Sequence, residues 1–226
     1  MINKTKNSQY FFLILTYFII IIFTLITFRD FGIHIEEKFH RINGLYWLNY
    51  ISQIFNFEKL TLITDLKMKE IDDYTLSSIT NYKKYGVIFD LPAALLEIVF
   101  NIEKIENIYF IKHFLAFFIF LISSFFFYLI LIDRFNNFFL SFSGTLLFIT
   151  TPRIFGDSFF YKDVLFLSFF TIALYFFLKT LNNLNIKNII FFSIFTAISF
   201  NLRIFGIFLP ITFFFLLIIK SFKNKN

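Results

Sequence analysis

The 226-residue chain contains 0 cysteines, so it has neither a disulfide framework nor thiolate chemistry. Its 3 histidines, His34, His40 and His113, form no H-x-x-x-H pair, and this argues against a zinc site. Charged residues are scarce at 16%, against roughly a quarter in a soluble domain. With 3 prolines and 6 glycines there is no Pro/Gly-rich linker, and no sequence repeat divides the chain. The basic residues form no dense stripe outside the apolar runs, which argues against nucleic acid as a partner.

Apolar surface is what the chain has in excess. It is 58% hydrophobic and 24% aromatic, with 42 phenylalanines. A soluble protein of this size has no room to hide so much, so lipid must be the solvent for much of it. The excess of Phe, Ile, Asn and Lys also fits an AT-rich genome, so no single Phe is special. The formal net charge of +6 points to anionic lipid or phosphate nearby.

Six apolar runs are long enough, or nearly so, to span a bilayer: 10–28, 110–132, 135–151, 164–181, 188–202 and 204–219. No A-x-A site follows the first, which therefore reads as an uncleaved signal anchor. Residues 86–100, "GVIFDLPAALLEIVF", are apolar but short and carry Asp90, Pro92 and Glu97. They suit an interfacial or re-entrant helix better than a span. Lys4, Lys6, Arg134, Lys179, Lys187, Lys220, Lys223 and Lys225 then fall on one side, and Arg153, Lys162 and Arg203 on the other. The positive-inside rule makes the first side cytoplasmic. The expectation is an all-α polytopic membrane protein with about six transmembrane helices in a single membrane domain. Residues 1–28 hold the first span, 29–109 form a long outer loop with interfacial helices, 110–219 hold five further spans, and 220–226 form a tail. Both termini lie inside.

Charges at the outer helix ends then stand out. "RDFGIHIEEKFHRINGLYW" follows the first run and places Asp30, Glu36 and Glu37 at the membrane edge. Adjacent acids cannot face one way on a helix, so one can point at a site while the other orients it or binds a cation. On periodicity alone, an ordinary solvated juxtamembrane loop is the better explanation of them. Lys112 and His113 open the second span, Arg153 and Lys162 flank the third and fourth, and Arg203 ends the fifth. Each alone fits snorkelling to headgroups. Together they suit an anion at the membrane surface, such as a lipid phosphate. Asp163 opens the fourth span, where a helix dipole favours an acid, and Asp157 either caps a helix or lines the same loop.

These motifs, in order, resemble the amino-terminal module of GT-C-fold membrane glycosyltransferases. More narrowly, they resemble bacterial relatives of dolichyl-phosphate-mannose–protein mannosyltransferases. The resemblance rests on "IEE" with "KFHRINGLYW", "YGVIFDLPAALLE", "IKHF", "TPRIFGDSFFYKD" and "NLRIFGIFLP", and covers most of residues 10–215. Family members usually open the acidic pair with Asp, where this chain has Glu36, and continue with further spans. The resemblance therefore implies a fragment, a split gene or a minimal form.

It also implies transfer of a sugar from a polyprenyl-phosphate donor to a glycan, lipid or protein acceptor, on the outer face of a bacterial inner membrane. Glu36 first and Glu37 second are the catalytic candidates, with Asp163 assisting. Lys112, His113, Arg153, Lys162 and Arg203 are the lipid-phosphate candidates. Some family members use a divalent cation and others do not. Two readings from other classes compete: a non-catalytic subunit that binds lipid phosphate, and a transporter or flippase fragment. The nearly charge-free interiors of the apolar runs count against the second.

Overall fold

The structure is a computed structural model that describes residues 2–34, 36–71, 86–160 and 162–223. Residues 72–85 of the expected outer loop and 224–226 of the expected tail lie outside the described residues. All regular structure among the described residues is helical. Helix α1 (Ile2–Thr27) runs into a 3-10 turn (Phe28–Asp30), followed by α2 (Glu37–Ile54), α3 (Glu58–Lys69) and α4 (Asp90–Val99). Then come α5 (Ile105–Phe135), α6 (Phe138–Thr150), α7 (Pro152–Asp157), α8 (Asp163–Asn182), α9 (Ile186–Leu202), a second 3-10 turn (Ile204–Ile207) and α10 (Phe208–Lys223).

Asparagines punctuate the helices. Asn56, Asn101 and Asn136 take left-handed backbone conformations just past the ends of α2, α4 and α5, a region Asn enters more readily than other residues with a Cβ. Asn137 then caps α6, its side chain accepting from Leu140 N at 3.1 Å, and Asn185 caps α9 by accepting from Lys187 N at 3.0 Å. Inside the apolar helices, hydroxyls satisfy themselves on the preceding turn: Thr145 donates to Ser141 O, Thr171 to Leu167 O and Thr180 to Phe176 O. Such local pairing is what lets polar side chains sit in apolar surroundings.

Among the described residues, three helices are long and apolar enough to cross a membrane: Gln9–Asp30, Ile105–Phe135 and Asp163–Asn182. Three shorter apolar helices, Phe138–Thr150, Ile186–Leu202 and Ile204–Lys220, accompany them. Large apolar side chains point outward along α1 (Phe11, Ile14, Phe18) and α10 (Phe214, Phe215, Ile219). Helices this apolar on their outer faces are those of a membrane protein. Helix α4 has 10 residues and is about 15 Å long, half the hydrocarbon thickness.

Ion pairs and rings show which helix ends meet. Phe28 at the end of α1 meets Phe110 near the start of α5, with ring centroids 5.7 Å apart. Arg203 after α9 pairs with Asp163 at the start of α8. At the opposite end, Asp133 of α5 pairs with Lys179 of α8 at 2.8 Å, and Lys220 of α10 donates to Leu181 O. The six apolar helices therefore alternate in direction. One end of the bundle gathers residues 28–34, 36–41, 86–113, 150–160, 162–163 and 201–208.

Helices α2, α3 and α4 pack together at that end around Ile42, Leu45, Leu48, Met68 and Ala94. Gly44 permits the closest approach, because a Cβ there would collide with the backbone of Asp90.

Candidate functional site

The loop between α7 and α8 is anchored by Phe159, fully buried and stacked between Phe31 at 4.0 Å and Phe117 at 5.1 Å. Ser158, also buried, donates to Phe155 O at 2.6 Å. This anchor holds Lys162 and Asp163 against the start of α2. Between them lies a pocket of ≈ 230 Å³ lined by Glu36, Glu37, Arg153, Asp157, Lys162 and Asp163, with His34, His40 and Phe160.

Its rim is a set of exposed ion pairs. Lys162 Nζ donates to Glu36 Oε2 at 2.8 Å. Arg203 pairs with Asp163, and Arg153 lies 3.8 Å from Asp157 on the next turn of α7. The hydrogen bond from Lys162 holds the Glu36 carboxyl below its ordinary range, against a smaller opposing push from burial. Glu36 is thus a carboxylate at neutral pH.

Its floor is buried. Glu37 turns inward, accepting from His34 N at 3.1 Å and pairing with His113 Nε2 at 2.7 Å. His113 is fully buried, and its Nδ1 has no hydrogen-bond partner. Phe160 lies against both His34 and His113, with ring centroids 5.5 Å away in each case.

Below this, α2 faces α4. His40 Nδ1 is 3.0 Å from Asp90 Oδ2, which also accepts from Asn43 Nδ2 at 2.7 Å. Arg41 grips Glu97 with two hydrogen bonds, of 3.0 and 2.7 Å, and Lys67 joins the same carboxylate at 3.3 Å. Burial is the largest single influence and works against the Arg41 charge, but the hydrogen bonds and charge of Glu97, together with Tyr109, outweigh it and raise the guanidinium pKa.

A second concavity of ≈ 760 Å³ lies beside the pocket. Lys162 lines both. Arg203 and Asn201 supply the rest of its polar edge, and Ala197, Phe200, Ile204 and Phe205 its apolar wall. Asn201 Oδ1 accepts from Ile88 N at 3.1 Å, so the segment before α4 closes one side.

The eight site residues proposed from sequence thus separate by depth. Glu36, Glu37, Asp163, Arg153 and Lys162 share one pocket, and Arg203 joins them through Asp163. Lys112 and His113 do not line it. Helix α5 begins at Ile105, earlier than the apolar run at 110, so both lie two turns inside and are buried. Lys112 sits over the Tyr109 ring at 6.0 Å.

His34, His40, Asp90 and Glu97 were not among the site residues read from sequence. Asp90 and Glu97 are seven positions apart in an apolar helix, hence on one face, and that spacing demands buried basic partners. Among the described residues no group of three His, Asp or Glu side chains is arranged to hold a metal ion. No protein-family model, curated protein or solved structure matches the chain.

Proposed function

We propose that the chain transfers a sugar from a polyprenyl-phosphate donor to an acceptor at one face of a bacterial inner membrane, through the fold of a six-span GT-C glycosyltransferase module. One observation carries this reading. A pocket rich in carboxylates and a cation-edged apolar groove lie side by side and share Lys162. The groove suits a lipid phosphate, with Lys162 and Arg203 on the phosphate and Phe200 and Phe205 along the chain. The pocket suits a polar acceptor.

In such a transfer the acceptor hydroxyl attacks the anomeric carbon and its proton passes to a carboxylate. The bond from that carbon to the phosphate oxygen breaks, and polyprenyl phosphate leaves as the anion. Glu36 is the exposed, ionised carboxylate at the boundary of the two spaces. Glu37, held by His113 and His34 N, is the second candidate. Cations beside the leaving phosphate stabilise its developing charge. On this reading, which the Lys/Arg asymmetry supports, the end of the bundle that carries the pocket faces outward, α4 lies in the interface and both termini are cytoplasmic. Impermeant thiol labelling then reaches Lys59→Cys from outside and fails to reach Lys187→Cys.

The decisive experiment is a transfer assay in membranes with a polyprenyl-phosphate-linked sugar. Glu36→Gln or Glu37→Gln lowers turnover about a hundredfold or more if a base is lost, with donor binding kept. Lys162→Ala and Arg203→Ala weaken donor binding instead. Full activity in both Glu variants overturns the catalytic assignment. A non-catalytic subunit that binds lipid phosphate is the second reading. It is favoured by the pairing of Glu36 with Lys162 and of Asp163 with Arg203, which occupies both carboxylates. Donor binding without turnover in the wild type selects it.

A further inference from the structure

A separate groove of ≈ 330 Å³ opens where α1 ends against the start of α5, lined mainly by Phe28, Arg29, Asn107, Phe110, Ile111 and Phe114. None of these residues lines the pocket or the groove described above. The Arg29 guanidinium carbon lies 5.7 Å from the Phe28 ring centroid and 5.8 Å from that of Phe110. Those two rings meet edge to face at 76°. The cation therefore lies over two aromatic rings. Among the described residues it makes no ion pair with a carboxylate, unlike Lys162, Arg203, Arg41 and Lys179.

Stacking uses the faces of a guanidinium and leaves its N–H edge to grip a phosphate. Arg29 stands in the 3-10 turn just past α1 and its apolar run, where apolar surface gives way to polar. From there the groove follows α5 from Asn107 through Phe110 and Ile111 to Phe114, deeper into the apolar part of the helix. Ile111 and Phe114 are exposed. A polar, positively charged mouth above an apolar channel matches an amphiphile with an anionic head and a hydrocarbon tail.

We infer that this groove is a binding site for an anionic phospholipid, with the headgroup phosphate on Arg29 and an acyl chain along Phe110, Ile111 and Phe114. The site does not depend on the proposed transfer reaction and lies outside its pocket. It would add a lipid to the contact that Phe28 and Phe110 already make between the end of α1 and the start of α5.

The test is native mass spectrometry of the full chain in neutral detergent, titrated with phosphatidylglycerol and, separately, with phosphatidylcholine of the same acyl chains. The expected result is one tight phosphatidylglycerol adduct, weakened about tenfold in Arg29→Gln and unchanged in Arg134→Gln at the far end of α5. Arg29→Lys falls between, because it keeps the charge and loses the planar stack. Phe114→Ala weakens long-chain phosphatidylglycerol more than a short-chain form. Inorganic phosphate fails to displace the lipid if the tail contributes. Displacement by phosphate at equal concentration would reduce the site to a simple anion contact and overturn the lipid assignment. Equal binding of both lipids, or wild-type binding by Arg29→Gln, overturns it as well.

Discussion

Two sets of ion pairs lie close together in this protein and do different work. Between α2 and α4, Glu97 is 1% exposed and its partner Arg41 6%. On the pocket rim, Arg153 is 91% exposed and Asp157 47%. Both pair an arginine with a carboxylate, but one is a buried two-bond fork and the other a looser contact in water. A buried charge that loses its partner keeps its desolvation penalty, whereas an exposed one regains water. The buried set therefore fixes how α2 meets α4 and carries the start of α2 into place. The rim set is cheap to open, which suits groups that must exchange partners with a ligand.

Removing a buried partner is the largest way to expose this contrast. Glu97→Ala leaves Arg41 and Lys67 facing each other without their shared carboxylate. The expected loss is about 3–5 kcal/mol, read as a large fall in the thermal midpoint in detergent. Asp157→Asn on the rim is expected to change stability by less than about 1 kcal/mol. Equal effects of the two variants would erase the distinction.

A steric change sharpens it next. Gly44→Ala puts a Cβ into the backbone of Asp90, where neither partner is a flexible side-chain end. Helices α2 and α4 must separate, stretching the hydrogen bonds from His40 and Asn43 to Asp90. The expected cost is about 1–3 kcal/mol. If Lys162 and Arg203 hold a lipid phosphate as proposed, its binding should be affected far less, because neither belongs to that crossing. Loss of both together would show that the buried set holds the groove as well.

Much of this architecture was legible from the residues. Hydropathy locates the apolar helices within a few positions: the run 164–181 corresponds to α8 (Asp163–Asn182), and 188–202 to α9 (Ile186–Leu202). The polar break at Asn136 and Asn137 ends one helix and begins the next, as their backbone preferences dictate. That five of the site residues share a pocket followed from counting charges at one set of helix ends.

What stayed hidden was depth. Lys112 and His113 read as surface cations because the apolar run starts at 110, whereas the helix starts with the more polar Ile105–Tyr109 turn and carries them inward. The α2–α4 network depends on a crossing 50 and more residues apart in sequence, which no local pattern specifies. Asp90 and Glu97 announced only that they needed partners.

The smallest expected effect tests the rim from its own side. Lys162 holds the Glu36 carboxyl below its ordinary value of 4.5, chiefly through their hydrogen bond. A group whose pKa is lower in the folded chain than in the unfolded one stabilises the fold above the unfolded pKa. That contribution fades as pH falls through the folded value. The Glu36–Lys162 pair should therefore contribute fully at neutral pH and vanish in acid. Its size is that of an exposed pair, about 0.2–1 kcal/mol, and salt reduces it further. Other carboxylates titrate over the same range, so the measurement is a difference: wild type minus Glu36→Gln, in thermal midpoint, followed from neutral pH into acid. The expected curve is a small positive gap that closes below the ordinary Glu range and narrows in high salt. A Lys162→Met background should abolish the gap at every pH. A gap that persists in acid, or survives without Lys162, would mean that Glu36 acts through something other than this ion pair, and the rim would then belong with the buried set.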